Sequence, residues 1–317
     1  MVELECGEAA AAFASGMSAI TSAILSIAQS GDRVLCVNHV YPDTYQFLRG
    51  FCGDLGIVTE FLDGTDIDAL GARLRGAKLL YLESPSTWIM QEQDLAAIAE
   101  IARSHNVTTV ADNSWASPLF QKPLKCGIDM VVHSASKYIS GHSDVVAGLV
   151  VGSRSFIENM NRKVCTYLGG KLSAQEAALL IRGLRTLPLR MQRHQDSALY
   201  LANRLSERAE VMKVFHPGLE KQAFSQLSGY GGLFSIEVAE DVNIERFCDA
   251  LSVFRLGVSW GGYESLLMPV AVSFQQCTQY NSAVDFGVPP RLIRLFVGLE
   301  DPEDLWHDLD RAFALSQ

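Results

Sequence analysis

The sequence predicts an α/β fold in which a mostly parallel sheet is covered by helices and followed by a smaller α+β domain. Short apolar runs alternate with longer helical stretches through the first part of the chain. The apolar runs are rich in Val and Leu, which is typical of parallel strands buried between layers of helices. A chain of 317 residues exceeds the size at which one hydrophobic core stops growing, so we expect a large domain at 1–190 and a small domain at 191–317.

The order of the predicted elements supports this division. Strands are expected in the first part, at residues 33–38, 57–62, 78–83, 107–112, 129–134 and 145–152. Helices are expected at residues 17–29, 44–53, 66–75 and 92–105. After residue 190 a long helix through residue 210 precedes a strand at 232–238, a helix at 244–254, a strand at 292–298 and a final helix. This change in the order of helices and strands predicts that the last part of the chain forms the α+β domain.

Composition excludes several classes of protein. The formal net charge is -10 and no run of Lys and Arg is present, so nucleic acid is not an expected partner. No apolar run approaches the roughly 20 residues that a membrane-spanning helix requires, and no basic stretch precedes an apolar one at the N-terminus. We therefore expect a cytoplasmic protein with no membrane contact.

The seven cysteines and seven histidines lack the spacing of a metal site or of a disulfide framework. The cysteines are spread singly along the chain, at Cys6, Cys36, Cys52, Cys126, Cys165, Cys248 and Cys277. Because free cysteine behaves as a small apolar residue, we expect reduced thiols in the core. No metal is predicted.

Polar residues follow three of the predicted strands, at the end of a parallel sheet where ligands usually bind. The first of these strands ends in Glu83-Ser-Pro-Ser-Thr87, the second delivers Asp112, and the third leads into Ser134-Ala-Ser-Lys137. An acid, several hydroxyls and a lysine therefore converge on one rim of the sheet. This combination suits pyridoxal 5′-phosphate (PLP), because that cofactor has a pyridine nitrogen, a phosphate and an aldehyde.

A PLP site gives each of these groups a role. Lys137 would bond the aldehyde, and Asp112 would pair with the pyridine nitrogen and keep it protonated. Four residues are expected to bind the phosphate: Ser134, Ser136, Gly16 and Met17. The two serines flank the lysine, and the two backbone amides open the first predicted helix, whose positive dipole end favours an anion.

Each of these signals also has a simpler structural interpretation. A Ser-Gly pair before a helix is usually a cap, and a lone lysine after a strand usually lies in solvent. Tyr41 and Trp260 are aromatic residues of a kind more often found in a core, and Arg294 in an apolar strand is compatible with a structural ion pair. Spacing alone therefore leaves the site open.

Six short segments, taken in their order along the chain, carry a family resemblance. They are Ser15-Gly-Met17, Glu83-Ser-Pro-Ser86, Ala111-Asp-Asn113, Ser134-Ala-Ser-Lys137, Gly141-His-Ser-Asp144 and Ser259-Trp-Gly-Gly-Tyr-Glu-Ser265. With them, essentially the whole chain resembles the Cys/Met-metabolism PLP enzymes. The resemblance implies PLP as cofactor and the PLP-dependent transferase fold type I, which is the fold of aspartate aminotransferase.

The resemblance also implies roles for residues outside the three strands. Tyr41 would stack on the cofactor ring and join Lys137 among the catalytic residues. Arg294 would bind the α-carboxylate of the substrate. Three further residues would also bind the substrate: Ser259, Trp260 and Thr87. Segments 84–86, 259–265 and 292–301 look most similar to those of bacterial cystathionine β-lyases, whereas γ-acting members usually carry an asparagine where Thr87 aligns.

The activity that this resemblance implies is β-elimination of L-cystathionine, or of a related cysteine S-conjugate, to a thiol, pyruvate and ammonia. Two alternatives remain open: a γ-acting member of the family, and a shortened non-catalytic paralogue. The second arises because the family normally has a longer N-terminal segment that reaches the neighbouring subunit, whereas residues 1–5 are expected to enter directly at the helix before the Ser-Gly-Met loop. A small sulfur amino acid as ligand and a homodimer or homotetramer are expected.

Overall fold

The computed structural model describes residues 1–220, 224, 226–276 and 279–316. Its larger sheet has seven strands: β1 (Ala9–Phe13), β2 (Arg33–Val37), β3 (Val58–Leu62), β4 (Leu79–Glu83), β5 (Thr108–Asp112), β6 (Met130–Ser134) and β7 (Gly148–Gly152). Their order across the sheet is β1-β7-β6-β5-β4-β2-β3. Strands β2 to β6 run parallel, whereas β7 is antiparallel to both of its neighbours. The predicted α/β class and its mostly parallel sheet are therefore confirmed.

Helices connect these strands and pack on them. They are α1 (Val2–Glu5), α2 (Gly16–Ile27), α3 (Pro42–Gln46), α4 (Cys52–Asp54), α5 (Ile67–Leu74), α6 (Leu95–Ser104), α7 (Ser117–Phe120), α8 (Arg154–Met160) and α9 (Thr166–Leu168). Single turns of π-helix at Phe47–Phe51 and Asn161–Cys165 continue α3 and α8. Side chains of Ser15, Asp66 and Asp94 cap α2, α5 and α6, because each accepts the backbone N–H three residues further on.

The second sheet forms the smaller α+β part of the molecule. Its elements are α10 (Ala174–Ser206), β8 (Val211–Phe215), β9 (Leu233–Val238), α11 (Ile244–Ala250), β10 (Arg255–Leu256), β11 (Leu266–Pro269), α12 (Val270–Phe274), α13 (Ser282–Asp285), β12 (Leu292–Phe296) and α14 (Pro302–Leu315). The strand order is β10-β11-β12-β9-β8, with α10 and α14 packed on the sheet. The domain limit between residues 190 and 191 stays a prediction, and it falls within α10.

Strand β1 was not predicted from the sequence. The N-terminal helix was expected to lead directly to the Ser-Gly-Met loop, but α1 is followed by a strand that pairs antiparallel with β7, from Ala9 opposite Gly152 to Phe13 opposite Gly148. Four consecutive alanines have no β-branched side chain and favour helix by intrinsic propensity. Pairing with the edge of the sheet overrides that local preference.

The expectation of core thiols is correct for part of the cysteines. Those that are buried or partly buried, all with free thiols, are Cys36, Cys52, Cys126, Cys165 and Cys248. The expectation is wrong for Cys6, which is exposed because it ends α1 in a left-handed conformation at the surface. Cys277 lies outside the described residues.

Metal sites and membrane-spanning helices are both absent from the described part of the chain. Among the described residues, no group of three or more His, Cys, Asp and Glu side chains could hold a metal ion. None of the helices there combines the length and the apolar composition needed to cross a membrane.

Helix α10 passes close to the backbone that follows Lys137. A β-carbon on Gly183 would lie 2.2 Å from the Ser140 carbonyl oxygen and 2.4 Å from that of Ile139. We expect Gly183→Ala to lower the free energy of unfolding by at least about 2 kcal/mol, because backbone must move to relieve the overlap. Urea unfolding measures the effect. Gly53→Ala is the control: a β-carbon there has no neighbour within 4 Å, so its unfolding midpoint should stay unchanged or rise slightly.

Candidate active site

A cavity of about 300 Å³ lies at the carboxyl ends of β4, β5 and β6, where the start of α2 and residues of the second sheet also meet. This volume is at the lower end of the range for small-molecule sites, roughly 300–1,000 Å³. Every residue that the sequence predicts for the site lies in its wall: Gly16, Met17, Tyr41, Thr87, Asp112, Ser134, Ser136, Lys137, Ser259, Trp260 and Arg294. The fold therefore brings together residues that are up to 278 positions apart, as counted from Gly16 to Arg294.

Lys137 lies in the turn after β6, and its side-chain amine contacts the second part of the molecule. Its Nζ donates a hydrogen bond to Ser259 Oγ at 3.0 Å and lies 5.2 Å from the centroid of the Trp260 ring. Burial, and to a smaller extent the charge of Arg294, lowers the pKa of Lys137 to about 8. A substantial fraction of the amine is therefore neutral near pH 8, and the neutral form is the one that attacks a carbonyl or accepts a proton.

Two buried carboxyl groups, Asp112 and Glu83, lie opposite each other in the register of β4 and β5. Asp112 Oδ1 accepts the Ser114 N–H at 2.9 Å, and Glu83 accepts the Thr87 hydroxyl at 2.5 Å and the Tyr41 backbone N–H at 2.7 Å. Burial, followed by the charge of Asp112, raises the pKa of Glu83 to about 8, and burial also raises the pKa of Asp112. Because two carboxylates repel each other in a dry site, we expect Glu83 to hold a proton at neutral pH.

The raised pKa of Glu83 predicts a dependence of stability on pH. Its folded pKa of about 8 lies above the ordinary value of 4.5, so folding favours the protonated form. The associated stability is complete below the ordinary pKa and is lost as the pH rises through the folded pKa. Glu83→Gln removes this loss. Between about pH 5 and about pH 9, the free energy of unfolding of the variant should therefore rise by at least about 1.4 kcal/mol relative to that of the parent protein. Urea unfolding at the two pH values is the measurement, and parallel pH dependence in both proteins would contradict the expectation.

The predicted phosphate ligands gather where α2 begins beside the end of β6. A β-carbon on Gly16 would lie 2.9 Å from Ser134 Oγ, so glycine permits this close approach. The Ser134 N–H donates to Ser114 Oγ at 2.7 Å. Ser136 Oγ accepts the Ala147 N–H at 2.9 Å and lies 3.2 Å from the Ala147 carbonyl oxygen. An anion at this point would meet the first amides of α2 and the positive end of its dipole.

Arg294 in β12 is buried, and its guanidinium faces an aromatic ring. Its Nη2 donates to the Val258 carbonyl at 2.6 Å, and its Cζ lies 5.1 Å from the centroid of the Trp88 ring. Within the described part of the chain no carboxylate forms an ion pair with Arg294, so a structural ion pair does not account for it. Burial lowers the pKa of Arg294 to about 10, which leaves the group charged at neutral pH. A guanidinium without an internal counterion is suited to bind a carboxylate ligand.

The two predicted aromatic residues occupy different positions in the wall. Tyr41 is 41% exposed and donates its hydroxyl to Asp43 Oδ2 at 2.6 Å, so it is not a core aromatic. Trp260 packs edge-on against Tyr138, with ring centroids 5.4 Å apart. The close packing of the loop that carries it requires glycine, because a β-carbon on Gly261 would lie 2.7 Å from the Lys137 carbonyl carbon, and its φ is +88°.

The wall also includes residues that were given no role from the sequence, among them Glu83, Ser114, Trp88 and Trp115. Glu83 was recognised as the end of a strand, and its pairing with Asp112 follows from two adjacent parallel strands ending at one rim. Ser114 could have been found from its spacing of two residues after Asp112, which is typical of an Asx turn. No local pattern indicates that Trp88 or Trp115 faces the cavity.

Comparison with known proteins identifies the family of this chain. A sequence model described as Cys/Met metabolism PLP-dependent enzyme matches residues 1–314 of this chain. The chain belongs to this family. The L-methionine gamma-lyase of Pseudomonas putida is 40% identical over 325 residues, which cover 100% of this chain and 81% of that protein. The cystathionine beta-lyase of Coxiella burnetii is 36% identical over 321 residues, covering 98% and 83%.

Solved structures of this family support the fold. The crystal structure of cystathionine gamma-lyase from Lactobacillus plantarum complexed with L-serine superposes with a TM-score of 0.93 at 35% identity, covering 100% of this chain and 84% of that one. As a member of the Cys/Met metabolism family, the protein is a PLP-dependent lyase that acts on small amino acids. The predicted family, cofactor, fold type I and enzymatic nature are therefore confirmed.

The residues in the cavity fit PLP. The predicted residues supply one amine at Lys137, one buried carboxyl at Asp112 and, at the start of α2, backbone amides beside the Ser134 hydroxyl. These match the aldehyde, the pyridine nitrogen and the phosphate of the cofactor. When bound, PLP supplies a sink for the electron pair left on the substrate Cα. The roles of the individual side chains remain predictions.

Proposed function

We propose that this family member catalyses β-elimination of L-cystathionine, or of a related cysteine S-conjugate, to a thiol, pyruvate and ammonia. The observation that carries this proposal is the 3.0 Å hydrogen bond from Lys137 Nζ to Ser259 Oγ. It joins the amine to segment 259–265, which most resembles the corresponding segment of bacterial cystathionine β-lyases. The 36% identity with the Coxiella burnetii cystathionine beta-lyase supports the same choice.

The proposed reaction needs one group to bind the substrate and another to move a proton. Arg294 would hold the α-carboxylate, since its guanidinium is charged and has no carboxylate partner within the described residues. The Lys137 amine, with its pKa lowered to about 8, would remove the Cα proton before the thiolate leaves Cβ. Tyr41 would stack on the cofactor ring. Thr87, Ser259 and Trp260 would line the substrate side.

A second candidate is γ-elimination, which uses the same lysine with one further proton shift at Cβ. The observation in its favour is the 40% identity with the L-methionine gamma-lyase of Pseudomonas putida. Against it, Thr87 occupies the position where γ-acting members usually carry asparagine. Its hydroxyl also donates a hydrogen bond to Glu83 Oε1 at 2.5 Å.

One substrate separates the two candidates. The purified protein is supplied with PLP and L-cystathionine, and the 2-oxo acid and the thiol are identified by chromatography. β-Elimination yields pyruvate with homocysteine, whereas γ-elimination yields 2-oxobutyrate with cysteine. We expect pyruvate and homocysteine in equal amounts. Predominant 2-oxobutyrate would replace the first proposal by the second, and no 2-oxo acid from L-cystathionine or other cysteine S-conjugates would contradict the β-elimination proposal.

We further propose a cytoplasmic homodimer or homotetramer. Tyr167 and Leu168 are adjacent in α9 and are 79% and 65% exposed, as expected of apolar side chains that contact another subunit. The free thiols of the described cysteines are consistent with a reducing compartment. Sedimentation at micromolar concentration should give a dimer or tetramer, and a monomer alone would contradict the proposed assembly.

A further inference from the structure

Trp88 has a backbone conformation that is unusual for a bulky residue. Its φ is 70°, in the left-handed region that favours glycine. The Ile89 N–H donates to the Thr87 carbonyl at 3.0 Å, so Trp88 is the middle residue of a tight three-residue turn. Strained conformations of this kind persist only where the surrounding structure holds them, and they are concentrated at functional sites.

Hydrogen bonds on both sides hold this turn in place. The Ser86 N–H donates to the Gln91 carbonyl at 2.9 Å, and the Gln91 N–H donates to Ser86 Oγ at 3.1 Å. The Thr87 N–H donates to the His39 carbonyl at 2.7 Å. As a result the Trp88 side chain is only 2% exposed and forms part of the cavity wall.

The indole of Trp88 covers the guanidinium of Arg294. The Cζ of Arg294 lies 5.1 Å from the ring centroid, within the range of a cation–π contact. The other contacts of this guanidinium are a hydrogen bond to the Val258 carbonyl at 2.6 Å and a weak one to Met268 Sδ at 3.7 Å. The aromatic ring therefore covers a buried cation that forms no ion pair with a carboxylate in the described part of the chain.

We infer that Trp88 is a positioning residue for the substrate α-carboxylate. Its ring restrains the guanidinium of Arg294 and excludes water from one of its sides, so less side-chain freedom is lost when the carboxylate binds. The same turn also contains Thr87. One strained loop therefore places two adjacent residues, Thr87 and Trp88, in the wall of the cavity where the substrate is proposed to bind. This inference rests on the proposed binding of the carboxylate by Arg294.

A pair of ligands that differ only in the carboxylate tests the inference without requiring turnover. L-alanine and L-alaninamide are titrated into the PLP-loaded enzyme in a calorimeter, and the ratio of their dissociation constants gives the preference for a carboxylate. Trp88→Leu is expected to reduce this preference about tenfold, because it removes the aromatic face. Trp88→Phe keeps a ring over Arg294 and should retain most of the preference.

Steady-state kinetics provide a second measurement on the same variants. For the substrate that turns over, Trp88→Leu should raise KM about tenfold and leave kcat within about twofold, since the inferred role of the residue is in carboxylate binding and not in proton transfer. Trp115→Phe is a matched control, because Trp115 also lines the cavity but its Nε1 donates to the Leu233 carbonyl at 2.9 Å. Any change that it causes should apply to both alanine ligands alike.

The possible outcomes separate this inference from the proposed reaction. If Trp88→Leu keeps the preference of the parent enzyme, or Trp88→Phe loses as much as Trp88→Leu, the positioning role of the ring is wrong. If the parent enzyme itself shows no preference for L-alanine over L-alaninamide, both the carboxylate site at Arg294 and the role of Trp88 are contradicted. If the preference is present but L-cystathionine yields no 2-oxo acid, only the proposed reaction is contradicted.

Discussion

The Lys137→Ala variant should lose at least about 10³-fold in turnover, because general acid–base catalysis alone contributes roughly 10²–10⁴-fold. Lys137 is the lysine of the cavity wall, and burial lowers its pKa to about 8, which makes the neutral amine available. Alanine can neither bond the PLP aldehyde nor accept the Cα proton. The visible absorption spectrum of the protein with added PLP measures the loss of the bond to the aldehyde, and the rate of 2-oxo acid formation measures the loss of turnover.

Lys78→Ala is the matched control for this experiment. Lys78 is exposed and precedes β4, at the opposite end of the strand from the cavity. Its removal should leave both the rate and the spectrum unchanged. If Lys137→Ala retained the spectrum of covalently bound PLP, the assignment of Lys137 as the cofactor lysine would be wrong.

The Asp112→Asn variant should lose about 10²–10³-fold in kcat, the range found when one preorganised electrostatic group is removed from an active site. Asparagine preserves the size of the side chain and can still accept the Ser114 N–H, but it carries no charge to keep a pyridine nitrogen protonated. Burial raises the pKa of Asp112, so folding disfavours its ionised form. We therefore expect the variant to be at least as stable as the parent protein at neutral pH.

Asp129→Asn provides the converse control. Asp129 Oδ2 accepts the Thr109 N–H at 2.8 Å and the Thr109 hydroxyl at 2.9 Å, just before β6 begins and far along the strand from the cavity. Its replacement should lower the unfolding midpoint and leave kcat unchanged. Loss of stability without loss of rate in Asp112→Asn would mean that Asp112 has a structural role only.

The meeting of Asp112 and Lys137 at one rim was predictable, because parallel strands present their carboxyl ends at the same edge of a sheet. Strand β1 was not predictable, since a run of alanines has no local preference for a strand. Local sequence patterns also did not predict that Arg294 lies in the cavity wall. Its strand belongs to the second sheet, and only the resemblance to a family indicated that it serves the cavity.

The sequence by itself determined the fold class, the family and the predicted chemical groups of the site. These depend on hydrophobic periodicity and on short motifs, and both can be recognised directly in the order of residues along the chain. Only the tertiary structure decided their electrostatic state. The raised pKa of Glu83 and the lowered pKa of Lys137 arise mainly from burial, and the contact between Trp88 and Arg294 joins a turn after β4 to strand β12 of the second sheet. Burial and long-range contact are properties of the packed molecule, so no pattern along the chain specifies them.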